Sequence, residues 1–93
     1  MRILYVDDEP LAIQKFELIL SQLTGITDCH TCLLAEEALA YAGENLVDAA
    51  FLDIQLPGMN GLELAKALHG LNKNLHVFFV TAHDQYALEA FGV

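Results

Sequence analysis

The chain has 93 residues, of which 55% are hydrophobic, and its 13 acidic residues against four Lys and Arg give a formal net charge of −9 at pH 7. A chain of this length builds one small domain around a single core, and no apolar run approaches the roughly 20 residues that a membrane span requires. The composition therefore excludes a membrane-spanning protein, and the negative charge argues against direct binding to nucleic acid.

A change of hydrophobic period near Pro10 predicts the first strand and the first helix. Residues 2–6 are apolar after Arg2, which indicates a buried strand. This apolar run is too short for a signal peptide, so we expect a cytoplasmic protein. Pro10 suits the first turn of a helix that ends before Gly25. The predicted buried face of this helix consists of Ala12, Phe16, Ile19, Leu20 and Leu23.

The second strand, predicted over residues 26–33, carries both cysteines, Cys29 and Cys32. Their Cys-x-x-Cys spacing occurs in redox pairs and in zinc sites. Residues three apart on a strand point to opposite faces, however, and the sequence has no second pair of zinc ligands. We therefore expect ordinary, half-buried cysteines. The next helix has a predicted apolar face of Ala35, Ala38, Leu39, Ala42 and Leu46.

A third strand is predicted over residues 48–52, followed by a turn at Pro57 and a third helix. Asn60 caps this helix, with Glu63 three residues later as in a capping box. Its predicted buried stripe consists of Leu64, Ala65 and Leu68.

Residues 76–80 are the most strand-like segment of the chain, and Asp84 predicts the start of a short helix through Phe91. Four strand–helix units in strict alternation predict an α/β fold, with a parallel sheet covered by helices on both faces. Ligands of such folds bind at the carboxyl ends of the strands.

Polar residues follow three of the four predicted strands at this edge: Asp7, Asp8 and Glu9, then Asp53, then Thr81. Two carboxylates about 4 Å apart repel each other by roughly 4 kcal/mol at an effective dielectric of 20, so such a cluster needs a cation or a proton. Carboxylates and a backbone carbonyl are suitable ligands for Mg²⁺. Asp53 is the best-placed nucleophile, and Thr81 could donate its hydroxyl to a phosphoryl oxygen. A helix-capping role explains one acid of the first group but not the whole set.

Three separated segments resemble the response-regulator receiver family of two-component systems. They are Val6-Asp7-Asp8-Glu9-Pro10, residues 51–64 around Asp53, and Val80-Thr81-Ala82. The resemblance covers nearly the whole chain and implies a receiver domain over residues 1–93. It also implies a flavodoxin-like (CheY-like), doubly wound parallel sheet with strand order 2-1-3-4.

The resemblance further implies the roles of the site residues. Asp53 would accept a phosphoryl group from a sensor histidine kinase. Asp7, Asp8, Asp53 and the backbone carbonyl of Gln55 would hold Mg²⁺, Thr81 would be the switch hydroxyl, and Ala82 would leave room for the phosphoryl group. Such a domain is not an enzyme beyond its own Mg²⁺-dependent phosphorylation and dephosphorylation, and it acts by switching conformation or dimerisation.

The chain departs from the family pattern at its C-terminal end. Family members continue through a fifth strand ending in Lys-Pro and a fifth helix, whereas the lysines here are Lys15, Lys66 and Lys73. We therefore expect a C-terminally incomplete domain in which the fourth strand is an unpaired edge, and self-association through the fourth strand and fourth helix. Residues 83–91 resemble receivers that precede a LytTR-type DNA-binding domain, which implies control of transcription by the parent protein.

Two other interpretations remain open. A haloacid-dehalogenase-type enzyme also uses an Asp nucleophile and Mg²⁺, but it needs a second Asp where this chain has Gln55. An interaction module without phosphorylation is the stronger rival. The four histidines are scattered, which disfavours a metal or phosphorelay site built from His30, His69, His76 and His83.

Overall fold

The computed structural model describes residues 1–25, 28–80 and, as a backbone strand, 87–91. Strands and helices alternate along most of this part of the chain. Their order is β1 (Arg2–Val6), α1 (Pro10–Leu20), β2 (Asp28–Cys32), α2 (Ala35–Glu44), β3 (Ala49–Asp53), α3 (Gly61–Leu71), β4 (His76–Val80) and β5 (Ala87–Phe91).

The strands form one sheet in the order β2-β1-β3-β4-β5. The first four strands are parallel, which confirms the predicted fold class and the order 2-1-3-4. Val6 pairs with Leu52, and Asp53 pairs with Val80. The carboxyl ends of β1, β3 and β4 therefore meet at one edge of the sheet.

The helix predicted from Asp84 to Phe91 is wrong for residues 87–91, which form β5 antiparallel to β4. The expectation that β4 has an unpaired edge is wrong for the same reason. The N–H and C=O groups of an edge strand need partners, and a neighbouring extended segment supplies a row of them. This non-local pairing outweighs the local capping signal on which the helix prediction depended.

The main hydrophobic core lies between the sheet, α2 and α3. Its completely buried large side chains come from β1, β3, β4, α3 and the loop before β4: Leu4, Val6, Leu52, Leu64, Leu68, Leu75 and Val77. Alternation along β1 sends Leu4 and Val6 into this core and leaves Tyr5 for the opposite face. Burial of each Leu contributes about 1.5–3 kcal/mol relative to its exposure.

The opposite face of the sheet carries a row of aromatic rings and is covered by α1. Tyr5 stacks on Phe16 with ring centroids 4.1 Å apart, Phe16 lies 5.1 Å from Phe51, and Phe51 stacks on Phe78 at 4.9 Å. Ile13 is the buried residue of α1. Ile19, which was predicted to be buried, is 59% exposed, because the helix turns its Ile13 and Phe16 side towards the protein interior. Leu23 lies beyond the end of α1 and is 54% exposed, so its predicted place on the buried face is wrong.

Some features of the helix ends agree with those predicted from the sequence, and others differ. The capping box of α3 is confirmed: Glu63 donates its backbone N–H to Asn60 Oδ1 at 2.8 Å, and its carboxylate accepts the Asn60 N–H at 3.3 Å. At the start of α2, Glu37 accepts the N–H groups of Leu33 and Leu34. Leu46 lies beyond the end of α2 and is 71% exposed, so its predicted place on the buried face is wrong.

The two cysteines of β2 are free, as expected, with Cys29 half-buried and Cys32 buried. Burial raises the pKa of the Cys32 thiol to about 11, which disfavours the reactive thiolate. Among the described residues, no helix has both the length and the apolar character that crossing a membrane requires.

Candidate functional site

Three carboxylates converge at the carboxyl edge of the sheet. One side-chain oxygen from each of Asp7, Asp8 and Asp53 lies within 4.8 Å of the other two. Asp7 and Asp8 follow β1, and Asp53 ends β3, whose register with β1 sets these positions side by side. The structure therefore brings together the three carboxylates that the sequence predicted, which we call the acidic cluster.

Asp7 is the buried member of the acidic cluster, with only 7% of its surface exposed. Its Oδ2 accepts a hydrogen bond from the Tyr5 hydroxyl at 3.1 Å, and its Oδ1 accepts the Glu9 backbone N–H at 3.0 Å. The Asp7 backbone N–H donates to the Cys32 carbonyl of β2 at 3.1 Å. Both the side chain and the backbone of Asp7 are thus held in place.

Asp53 is half-buried, and its Oδ1 accepts the Gln55 backbone N–H at 3.2 Å. Burial raises the pKa of the Asp53 carboxyl. That hydrogen bond lowers the pKa, while the negative charges of Asp7, Asp8 and Glu9 raise it further. Because these neighbouring acids add to the effect of burial, a positive charge close to Asp53 would favour its ionised carboxylate. A hard divalent cation with oxygen ligands fits this set of donors.

Gly61 allows the start of α3 to approach the strand end that carries Asp53. Its N–H donates to the Ile54 carbonyl at 2.7 Å. A Cβ added at Gly61 would lie 2.8 Å from Ile54 Cα and closer still to the Asp53 carbonyl oxygen, so a larger residue would force the backbone apart. Sequence reasoning assigned no role to this glycine, since the contact depends on how α3 packs.

Tyr5 is a second residue that the sequence interpretation missed. The available signal was weak: a tyrosine in a strand whose other residues after Arg2 are aliphatic, two residues before Asp7 and therefore on the same face. Its hydroxyl contacts Asp7 directly, and its ring lines a cavity of about 500 Å³ beside Asp7 and Asp53. Lys15 of α1 lines the same cavity.

Gln55 contacts the cluster through its backbone N–H, whereas other predicted residues lie apart from the cluster or outside the described part of the chain. Thr81, Ala82 and His83 lie outside the described residues. Gln55 lies two residues after Asp53 in the chain, and its backbone carbonyl remains a predicted Mg²⁺ ligand. Among the described histidines, His30 stacks on Tyr41 at 3.9 Å, His69 lies in the last turn of α3 and His76 begins β4.

A parallel α/β sheet with a carboxylate cluster at its carboxyl edge is the arrangement that the resemblance to receiver domains predicted. The sequence matches the family described as "Response regulator receiver domain" over residues 3–93. The chain belongs to this family of two-component systems.

The curated relatives are regulators of the LytT and LytR type. The chain is 40% identical over 93 residues to the Enterococcus faecalis "Sensory transduction protein LytT" and 40% identical over 94 residues to the Pseudomonas aeruginosa "Positive alginate biosynthesis regulatory protein". It is 35% identical over 91 residues to the Staphylococcus aureus "Transcriptional regulatory protein LytR". These alignments cover 98–100% of the chain but only 37–38% of the length of the relatives.

Solved receiver structures have the same fold. The Thermotoga maritima response regulator TrrA, crystallised in complex with Mg²⁺-BeF, is 34% identical with a TM-score of 0.79, and the match covers 91% of this chain and 72% of that one. A CheY-like receiver protein from Methanospirillum hungatei is 32% identical with a TM-score of 0.80, and that match covers 88% and 64% of the two chains.

Proposed function

We propose that this chain is the phosphoacceptor of a two-component response regulator and that Asp53 accepts a phosphoryl group from a sensor histidine kinase. The observation that carries the proposal is the convergence of Asp7, Asp8 and Asp53 within 4.8 Å at one edge of the sheet. Domains of this family are regulatory. The only chemistry proposed here is the domain's own phosphorylation and dephosphorylation.

In the proposed transfer, a carboxylate oxygen of Asp53 attacks the phosphorus of a phosphohistidine. A P–O bond forms, the P–N bond breaks, and the departing imidazole nitrogen keeps the electron pair and takes up a proton. The product is an acyl phosphate on Asp53. Gln55 holds Oδ1 of the nucleophile through its N–H, which limits rotation of the carboxylate.

Asp7, Asp8, Asp53 and the carbonyl of Gln55 are the proposed ligands of Mg²⁺. When bound, the ion offsets the repulsion between the anionic carboxylate and the anionic phosphoryl group. The negative charges of Asp7, Asp8 and Glu9 support a cation at this position, since they add to the effect of burial in raising the pKa of Asp53. The Mg²⁺-BeF complex of the Thermotoga relative supports the same ion. Thr81 and Ala82 are proposed to contact the phosphoryl group.

A phosphotransfer assay tests the proposal. Wild type, Asp53→Ala and Asp28→Asn are incubated with acetyl phosphate and Mg²⁺, and their intact masses are measured. Asp28 is the matched control, because it is an exposed carboxylate paired with Arg2 at 3.2 Å outside the acidic cluster. We expect one added phosphoryl group on wild type and Asp28→Asn and none on Asp53→Ala. If wild type took up no phosphate, the phosphoacceptor would be excluded and an interaction module would be favoured.

The proposed consequence of phosphorylation is control of transcription by the parent protein. Relatives named as transcriptional regulators support control of transcription through a separate DNA-binding domain of the parent protein. Self-association is proposed at the edge of the sheet beyond β4, where β5 is the outermost strand. Size-exclusion chromatography of the phosphorylated and unphosphorylated samples from the same assay would show whether phosphorylation changes the oligomeric state.

A further inference from the structure

The hydroxyl of Tyr5 and the carboxylate of Asp7 form a buried pair at the acidic cluster. Tyr5 is 3% exposed, Asp7 is nearly as buried, and the hydroxyl donates to Asp7 Oδ2 at 3.1 Å. We infer that Tyr5 is a positioning residue, which holds the Asp7 carboxylate in the orientation that binds Mg²⁺. This inference rests on the proposed function, because it assumes that the acidic cluster binds the ion.

The ring of Tyr5 is fixed independently of its hydrogen bond. It stacks on Phe16 of α1 with an angle of 8° between the two planes. Its hydroxyl is therefore held at the end of a rigid ring that is clamped between the sheet and α1. A hydrogen bond from such a donor restricts Asp7 more than one from a mobile side chain or from water, since little rotational freedom remains to be lost.

The chemistry of the donors also suits a metal ligand. Asp7 receives one hydrogen bond on each oxygen, from a phenol and from the Glu9 amide. Each carboxylate oxygen has a second lone pair, so both hydrogen bonds leave electron density for a cation. Both donors are neutral, so they orient the carboxylate and leave its negative charge in place. An arginine or a lysine would instead cancel that charge.

A metal titration with matched hydroxyl deletions tests the inference. Mg²⁺ is titrated into wild type, Tyr5→Phe and Tyr41→Phe by isothermal calorimetry, with circular dichroism to verify folding. Tyr41 is the control because it has the same arrangement elsewhere: its ring stacks on His30, and its hydroxyl donates to the Asp28 carboxylate at 3.5 Å.

We expect Tyr5→Phe to weaken Mg²⁺ binding by about tenfold, since loss of a hydrogen bond to a metal ligand typically costs 10–100-fold in affinity. Tyr41→Phe should bind as wild type does. Equal affinities for wild type and Tyr5→Phe would overturn this inference and leave the proposed function intact. A wild type that binds no Mg²⁺ would overturn both.

A second measurement keeps Tyr5 in place and does not depend on the folding of Tyr5→Phe. The chain has three tyrosines and no tryptophan, so the double variant Tyr41→Phe/Tyr86→Phe leaves Tyr5 as the only tyrosine. Its emission should change as Mg²⁺ binds to Asp7, with the same midpoint as the calorimetric titration. An emission that does not respond to Mg²⁺ over this range would contradict the proposed role.

Discussion

At the scale of single residues, the ionisation of Asp53 links the site to the stability of the fold. Its pKa is raised in the folded protein, chiefly by burial, so the folded state binds the Asp53 proton more tightly than the unfolded state does. Ionisation of this carboxyl therefore costs stability as the pH rises from the ordinary pKa of Asp through the raised one. Above that window the cost is fully present, and below it the cost disappears.

Asp53→Asn should accordingly be more stable than wild type at pH 7 in EDTA. We expect a gain of about 0.5–1 kcal/mol, because part of the repulsion at this half-exposed carboxyl is screened by solvent. The asparagine oxygen can still accept the Gln55 N–H. Thermal denaturation across the acidic range should show the two proteins converging at low pH. Asp28→Asn, which breaks an ion pair with Arg2, should show no such gain, and a gain of equal size there would contradict the explanation.

The residues of the site differ in how far the sequence alone could reveal them. Asp7, Asp8 and Asp53 were predictable, because parallel strands place their carboxyl ends at a common edge. Tyr5 and Gly61 were not, because their roles depend on where a side chain points and how closely α3 approaches β3. Such distances follow from tertiary packing and leave no periodic pattern in the chain.

At the scale of secondary structure, local sequence signals predicted an element well where that element packs into the interior of the fold. The bounds of β4 agree with the predicted 76–80, and the capping box of α3 is confirmed. The prediction failed for residues 87–91, where pairing with an edge strand competes with a local helix signal. The periodicity of apolar side chains shows which face of an element is buried. It contains no information about which backbone N–H and C=O groups lack hydrogen-bond partners.

The start of α3 gives a prediction about close packing. Gly61→Ala should destabilise the protein by about 1–3 kcal/mol, as overpacking of a tight contact does, because the new methyl group would overlap the backbone of Asp53 and Ile54. Gly70→Ala, in the same helix, is the matched control because nothing lies within 4 Å of its added Cβ. It should be neutral or stabilise by about 0.5–1 kcal/mol, since alanine is the better helix former. Chemical denaturation measures both, and equal effects would contradict the packing argument.

At the scale of the whole molecule, the two faces of the sheet are packed differently. The main core lies on the side of α2 and α3, whereas the α1 side carries the aromatic row and cavities of about 500 and 750 Å³. The acidic cluster lies between these two regions: Asp7 follows core strand β1 and is hydrogen-bonded to Tyr5 of the aromatic row. A cation bound there would stabilise the folded state, because only the fold brings the three carboxylates together.

Two effects of Mg²⁺ on stability must then be separated, because the chain carries a net charge of −9 and any salt screens its self-repulsion. Specific binding adds RT ln(1 + [Mg²⁺]/Kd), about 2.7 kcal/mol at 100 times Kd, which for a domain of this size raises Tm by roughly 10–20 °C. Asp8→Asn removes the exposed ligand of the cluster and leaves the buried Asp7 with its hydrogen bonds. We expect this variant to keep only the increase that NaCl of equal ionic strength produces, whereas wild type gains the specific increment as well. If thermal denaturation gave wild type and Asp8→Asn the same response to Mg²⁺, the ion would act on the overall charge and not at the cluster.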